Sequence, residues 1–151
     1  MEVLLDDSLE GNDTVEEWKA FIGKETDYYL EKWKRIKEGK TVNFNFFALL
    51  FGGLWLVYRK AYVAGFLYLG FIMIEGVVFE TLAFEFDIIG NQYVLINAII
   101  GIANALLMGI FGDWLYYTES AKRMSIIENK SSDRTDYLYK LHEKGGVSWL
   151  A

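Results

Sequence analysis

The stretch FNFFALLFGGLWLVYRKAY, residues Phe44–Tyr62, decides the fold, because it is apolar, is interrupted by a glycine pair and ends in an Arg-Lys pair. A helix from its start to Tyr58 would be about 22 Å long, whereas the hydrocarbon core of a bilayer is about 30 Å thick. Gly52 and Gly53 give the backbone the freedom to bend halfway. We therefore predict a re-entrant or interfacial helical hairpin over residues 44–60. The sequence leaves open whether this hairpin enters the bilayer or lies at its surface.

Two long apolar segments follow the hairpin. Residues 61–83 are numerous enough to span a bilayer, and residues 93–112 carry no charged side chain. The second helix is expected to continue beyond the membrane to about Glu128, and residues 84–92 are expected to form a loop. Residues 44–117 thus form a predicted membrane domain. The predicted fold is an all-α membrane protein with two transmembrane helices, preceded by the hairpin and flanked by cytoplasmic amphipathic helices.

The polar segments on either side of the membrane domain have their own predictions. Residues 1–13 are acidic and are predicted to form a mobile tail, residues 14–43 cytoplasmic or interfacial helices, and residues 118–151 a cytoplasmic helical tail. Helix signals support these assignments. They are a capping box at Thr14–Glu17, a stripe of Tyr29, Trp33 and Ile36 within a helix over 26–38, and a cap at Ser131–Asp133 before a helix that Gly145 ends.

The distribution of charge predicts the topology. No Lys or Arg occurs from Ala61 to Ala121, and basic clusters lie at 32–40, 59–60 and 122–123. The positive-inside rule assigns all three clusters to the cytoplasm, which a hairpin plus two spans satisfies with both termini cytoplasmic. The net charge of −6 argues against a general nucleic-acid binder. The absence of Cys and the single His exclude a disulfide framework and zinc sites built on Cys or several His.

Small and polar residues mark the second long helix as a packing surface. Gly101, Ala105 and Gly109 recur every four residues, and Asn97 and Asn104 lie seven apart near the same side. The surface is predicted to pack against the other span, a second copy or a different protein, and intramolecular packing is the simplest of these.

Glu75 is the most suggestive residue of the first long helix. A carboxylate inside a membrane is costly, so it invites a polar partner or a function in proton or ion handling. In an antiparallel pair it lies level with about residue 100, where it could meet Asn97 or Asn104.

Other candidate residues lie near the predicted membrane boundaries. Aromatic and basic side chains suit the headgroup zone, so membrane-surface anchors are predicted at Trp33, Arg59, Lys60 and Trp114. Three acidic residues near the outer loop suggest either a divalent-cation site or a solvated acidic loop, and we favour the second: Glu80, Glu85 and Asp87. No catalytic, cofactor-binding or metal-binding residues are predicted.

The central stretch resembles the signature of DUF2628, a family of small bacterial inner-membrane proteins of unknown function, typically written FNWxAFFFGPxWLLYRKMY. Further matches are FIG at residues 21–23, the aromatics Tyr28, Tyr29 and Trp33, Leu115-Tyr116, and GGVS at residues 145–148. The chain departs from the pattern at Phe46 for Trp, Gly53 for Pro, Ala61 for Met and Asp113 for Asn. The resemblance implies a location in the bacterial inner membrane and leaves the activity open.

Two functions from different classes follow. The first is a non-enzymatic accessory or assembly subunit that contacts the lipid bilayer and other membrane proteins, without a cofactor or nucleic acid. The alternative is a small homo-oligomeric channel or transporter, in which Glu75, Asn97 and Asn104 line a path.

Overall fold

The computed structural model describes residues 15–40 and 43–148, and over these ranges it contains seven α-helices and no strand. The acidic tail and Thr14 lie outside the described residues. The helices are α1 (Val15–Ile22), α2 (Thr26–Lys37), α3 (Phe46–Phe51), α4 (Gly53–Tyr58), α5 (Tyr62–Glu85), α6 (Gly90–Glu128) and α7 (Arg134–Lys144). The all-α prediction is confirmed.

Helices α5 and α6 are both long and apolar enough to cross a membrane. The mean hydropathy of their most apolar windows is 1.9 and 2.2, yet only 11% of each window is buried. A core helix of a water-soluble protein would be mostly covered, so these side chains present an apolar outer surface. As predicted, α6 continues without a break to Glu128. The predicted loop over residues 84–92 is too long, because α5 extends to Glu85 and α6 already begins at Gly90.

The central stretch forms two short helices that meet at Gly52. The side chain of Asn45 accepts a hydrogen bond from the backbone N–H of Ala48 at 3.0 Å and so caps α3. Gly52 has φ 53 and ψ −131, a conformation that residues with a Cβ rarely adopt, and α4 begins at the next residue. The break therefore lies at the predicted glycine pair, and the depth of this hairpin in a bilayer stays a prediction.

Glycines let the hairpin approach α5 and α6 closely. A Cβ on Gly112 would lie 2.8 Å from the Cβ of Ala48, and one on Gly65 would lie 3.0 Å from the Cγ2 of Val57. The glycine contacts between the hairpin and α5 extend to Leu69, about 10 Å along the helix from its start. The hairpin therefore covers one end of the two long helices.

The remaining helices form what we call the head: α1, α2, α7 and residues 113–128 of α6. Its core is aromatic, and the ring of Trp33 lies 5.4 Å from that of Tyr116 and 5.7 Å from that of Trp18. The side chain of Asp133 caps α7 by accepting a hydrogen bond from the backbone N–H of Asp136 at 2.9 Å. Helix α7 thus begins after Asp133 and ends at Gly145.

Candidate functional site

A polar contact joins the two long helices within their apolar segments. The side-chain amide of Asn104 donates a hydrogen bond to a carboxylate oxygen of Glu75 at 2.5 Å. The hydroxyl of Tyr68 donates to the backbone carbonyl of Asn104 at 3.2 Å. The antiparallel register therefore brings Glu75 to Asn104, one of the two partners that the sequence offered. An amide that is hydrogen-bonded in apolar surroundings costs much less than an unpaired one, so the contact also stabilises the register.

Asn97 lies on the same side of α6, two turns before Asn104. Its side chain is exposed, and within the described part of the chain it makes no hydrogen bond. An unpaired amide on an apolar surface is costly. The amide of Asn97 is therefore available for a further hydrogen bond.

Two glycines extend the surface on which the hairpin packs. Gly76 stands eleven residues after Gly65, and Gly101 stands eleven residues before Gly112, so each pair shares a helix face about three turns apart. A Cβ added to Gly76 or Gly101 would meet nothing within 4 Å. We use the name open face for Gly76, Asn97 and Gly101, which lie beside the Glu75–Asn104 pair. It lies on the hairpin side of α5 and α6, beyond the hairpin's reach, and it has room for another backbone.

The packing surface predicted on α6 divides into two parts. Gly109 is buried, and a Cβ there would lie 3.0 Å from the Cβ of Leu49, so this position serves the hairpin. Ala105 is half-buried and Gly101 is exposed. Intramolecular packing thus accounts for one end of the surface and leaves the other end free.

A buried ion pair that the sequence analysis missed holds the hairpin to the head. The carboxylate of Asp113 is fully buried and lies 2.5 Å from the ammonium of Lys32. Its other oxygen accepts a hydrogen bond from the side-chain amide of Asn45 at 2.6 Å. Lys32 also donates to the backbone carbonyl of Phe44 at 3.0 Å. We call these residues the Asp113 cluster; the one sequence signal for it was the departure from the Asn of the family pattern.

Two of the predicted membrane-surface anchors are buried instead. Trp33 is 0% exposed and Arg59 is 1% exposed, so neither side chain can reach a lipid headgroup. The guanidinium of Arg59 forms an ion pair with Glu25, donates to the backbone carbonyl of Lys24 at 3.0 Å and lies 4.1 Å from the ring of Tyr29. Burial raises the pKa of Tyr29, and the nearby Arg59 opposes that rise. These side chains therefore organise the head rather than anchor its surface.

The other two predicted anchors keep some exposure. Trp114 is 38% exposed, and the half-buried Lys60 donates from its ammonium to the backbone carbonyl of Gly145 at 2.6 Å. Their contact with lipid stays a prediction. At the opposite end of the long helices, Glu80 accepts a hydrogen bond from the hydroxyl of Tyr93. Within residues 15–40 and 43–148, no group of three His, Cys, Asp or Glu residues is arranged to hold a metal ion.

Comparison with known proteins places these features in a family. A family model described as a protein of unknown function (DUF2628) matches residues 13–122. The match includes the hairpin, the Asp113 cluster, both long apolar segments and the open face. No curated protein and no solved structure matches the chain.

Proposed function

The chain belongs to the DUF2628 family, whose function is unknown, and we propose that it is a non-enzymatic integral membrane protein that binds another membrane protein as an accessory or assembly subunit. The observation that carries the proposal is the apolar surface of α5 and α6, of which only 11% is buried in each span window. Water would not tolerate so large an uncovered apolar surface, whereas lipid and a partner's helices would cover it.

The positions of the basic residues support a topology with the head in the cytoplasm. The guanidinium of Arg123 donates hydrogen bonds to the backbone carbonyls of Lys60 at 2.7 Å and Lys144 at 2.8 Å. Two basic clusters therefore meet at the head end, whereas the turn at the other end holds Asp87 and no basic residue. By the positive-inside rule, we place both termini in the cytoplasm. The family resemblance suggests the bacterial inner membrane.

The contacts of the hairpin favour an interfacial position in this topology. They involve the head end of α5 and α6, and the start of the hairpin is held by the Asp113 cluster. A shallow position also leaves the open face uncovered within the membrane.

The open face is the proposed binding surface for the partner. No neighbouring side chain packs on Gly76 or Gly101. Each glycine destabilises its helix by about 1 kcal/mol relative to Ala, and close packing of a partner helix on the glycines would offset this cost. Asn97 offers that helix a hydrogen bond, and interhelical hydrogen bonds contribute to association in membranes.

Co-purification from native membranes in mild detergent tests the proposal. The tagged wild-type protein should retain a stoichiometric membrane protein, identified by mass spectrometry. Gly101→Leu should release it. Gly70→Leu is the matched control. A Cβ at Gly70 also meets nothing within 4 Å, but Gly70 lies on a different face of α5 from Gly76 and is therefore outside the open face. A wild-type protein that purifies as a lone monomer would contradict the proposal.

Thiol labelling tests the topology, since the chain has no natural cysteine. A cysteine in place of the exposed Gln92 should react with an impermeant reagent in intact cells. A cysteine in place of the exposed Lys130 should not react until the cells are opened. The reverse pattern would overturn the topology.

A homo-oligomeric channel is the second candidate, favoured by the polar contact of Glu75 with Asn104. Two spans cannot enclose a pore alone, so this function requires several copies. It predicts proton or ion flux in proteoliposomes that falls after Glu75→Gln. Unchanged flux would eliminate it, and a homogeneous homo-oligomer without partner proteins would favour it over an accessory role.

A further inference from the structure

A cavity of about 630 Å³ lies between the hairpin and the start of α2. Its volume falls within the roughly 300–1,000 Å³ of small-molecule sites. The hairpin contributes most of the wall, and the turn before α2 and Tyr29 of α2 contribute the rest. The lining residues are Lys24, Glu25, Tyr29, Phe47, Phe51, Leu54, Trp55, Val57, Tyr58 and Arg59.

The two ends of the cavity differ in chemistry. One wall consists of Phe47, Phe51 and Leu54, which are 56%, 55% and 61% exposed although they are large and apolar. The other end holds the cations Lys24 and Arg59. The single acidic lining residue is paired with Arg59, so the site has a net charge of +1.

Arg59 gives the polar end a fixed cation. The side chain is 1% exposed, and three contacts, to a carboxylate, a backbone carbonyl and an aromatic ring, hold it in place. Its buried Nε has no hydrogen-bond partner among the described residues. Arg59 therefore contributes a positive charge from behind the cavity wall. Lys24 is exposed at the same end and can adjust to a ligand.

We propose that this cavity binds an anionic phospholipid, with the phosphate at the exposed Lys24, in front of the buried positive charge of Arg59, and an acyl chain along Phe47, Phe51 and Leu54. The proposal rests on the membrane placement given above, in which the hairpin lies at the cytoplasmic interface. At that depth, an apolar wall meets the acyl chains and a basic end meets the headgroups. Inorganic phosphate would leave the apolar wall unused, and a neutral lipid would leave the basic end uncompensated.

Native mass spectrometry of the detergent-purified full chain tests the proposal. The probes are phosphatidylglycerol, phosphatidylcholine with the same acyl chains, and inorganic phosphate. Phosphatidylglycerol should bind most tightly, and inorganic phosphate should not compete with it. Lys24→Gln should weaken phosphatidylglycerol binding about fivefold, as expected for one basic residue near a headgroup. It should weaken phosphatidylcholine binding less, because the choline cation offsets the charge of that lipid's phosphate. Lys34→Gln is the matched control, because it removes an exposed cation of α2 outside the cavity.

A second variant tests the apolar wall. Leu54→Trp should fill part of the cavity and weaken both lipids, and because Leu54 is 61% exposed the larger side chain need not disturb the core. Equal affinity for the two lipids, or an equal effect of Lys24→Gln and Lys34→Gln, would overturn the proposal. Phosphatidylglycerol binding that appears only after residues 149–151 are removed would also overturn it, in favour of the chain's own end as the occupant.

Alkaline carbonate extraction of native membranes separates the two proposals. A protein that stays in the membrane but shows no preference for phosphatidylglycerol would refute the lipid site alone. A protein released by carbonate would refute the integral placement on which both depend.

Discussion

Replacing Asp113 by Ala should lower the free energy of unfolding by about 3 kcal/mol, the lower end of the 3–5 kcal/mol expected when one partner of a buried ion pair is removed. The carboxylate is 0% exposed, so its loss leaves two donors without their acceptor, the ammonium of Lys32 and the amide of Asn45. The lower end applies because Lys32 is 12% exposed and keeps its contact with the Phe44 carbonyl, so water can compensate part of the loss. For a chain of this size, the change corresponds to a fall in Tm of roughly 6–12 °C.

Thermal unfolding in mild detergent, followed by tryptophan fluorescence, measures this effect, because Trp33 and Trp55 lie in the aromatic core beside the cluster. Asp113→Asn should cost less than Asp113→Ala, since it keeps one carbonyl acceptor. The double variant Lys32→Met/Asp113→Leu removes both charges and should recover most of the loss. A loss below 1 kcal/mol for Asp113→Ala, or strict additivity between positions 32 and 113, would refute the reasoning.

Three further predictions concern packing and charge. Gly112→Ala should destabilise the protein by about 1–3 kcal/mol, because the added Cβ would lie 2.8 Å from the Cβ of Ala48. Gly101→Ala should not destabilise it, since nothing lies within 4 Å of a Cβ at that position. Chemical denaturation of the two variants side by side measures the difference. Trp33→Ala should lower the free energy of unfolding by about 3–5 kcal/mol, measured by fluorescence, because the ring is buried. Carbonate extraction should show that membrane integration stays intact. Loss of integration without loss of stability would instead support the interpretation of Trp33 as an anchor. The hydrogen bond from Lys140 lowers the pKa of Asp136. This contact therefore stabilises the fold above about pH 4, and the stabilisation is lost as the pH falls through the folded-state pKa. NMR titration of the Lys140→Gln variant should show a higher pKa for Asp136 than in the wild-type protein.

Local signals in the sequence predicted the long helices well. The apolar run of α6 continues into a polar segment without a helix-breaking residue, and the structure keeps one helix to Glu128. The contact between Glu75 and Asn104 could be anticipated because an antiparallel pair with a short turn fixes which residues lie level. Both inferences depend only on helix geometry and on residues near one another in the sequence.

Contacts between distant segments could not be predicted in this way. Lys32 and Asp113 are 81 positions apart, and nothing in either neighbourhood indicates that they meet. Trp33 and Arg59 were misinterpreted for a related reason. An aromatic residue among basic ones has the same local pattern at a lipid headgroup as in a folded core, and only the packing of Trp33 on Tyr116 distinguishes the two.

Helix α6 is continuous from the proposed membrane span into the head, so the two parts are connected by one helix. Its 39 residues span about 58 Å as one rod, and the head is built on its final turns. Spans tilt to match the thickness of the bilayer, and a change of about 10° would swing the far end of such a rod by roughly 10 Å. In a bilayer, the head would therefore move with any change of membrane thickness or any partner that alters the tilt of α6.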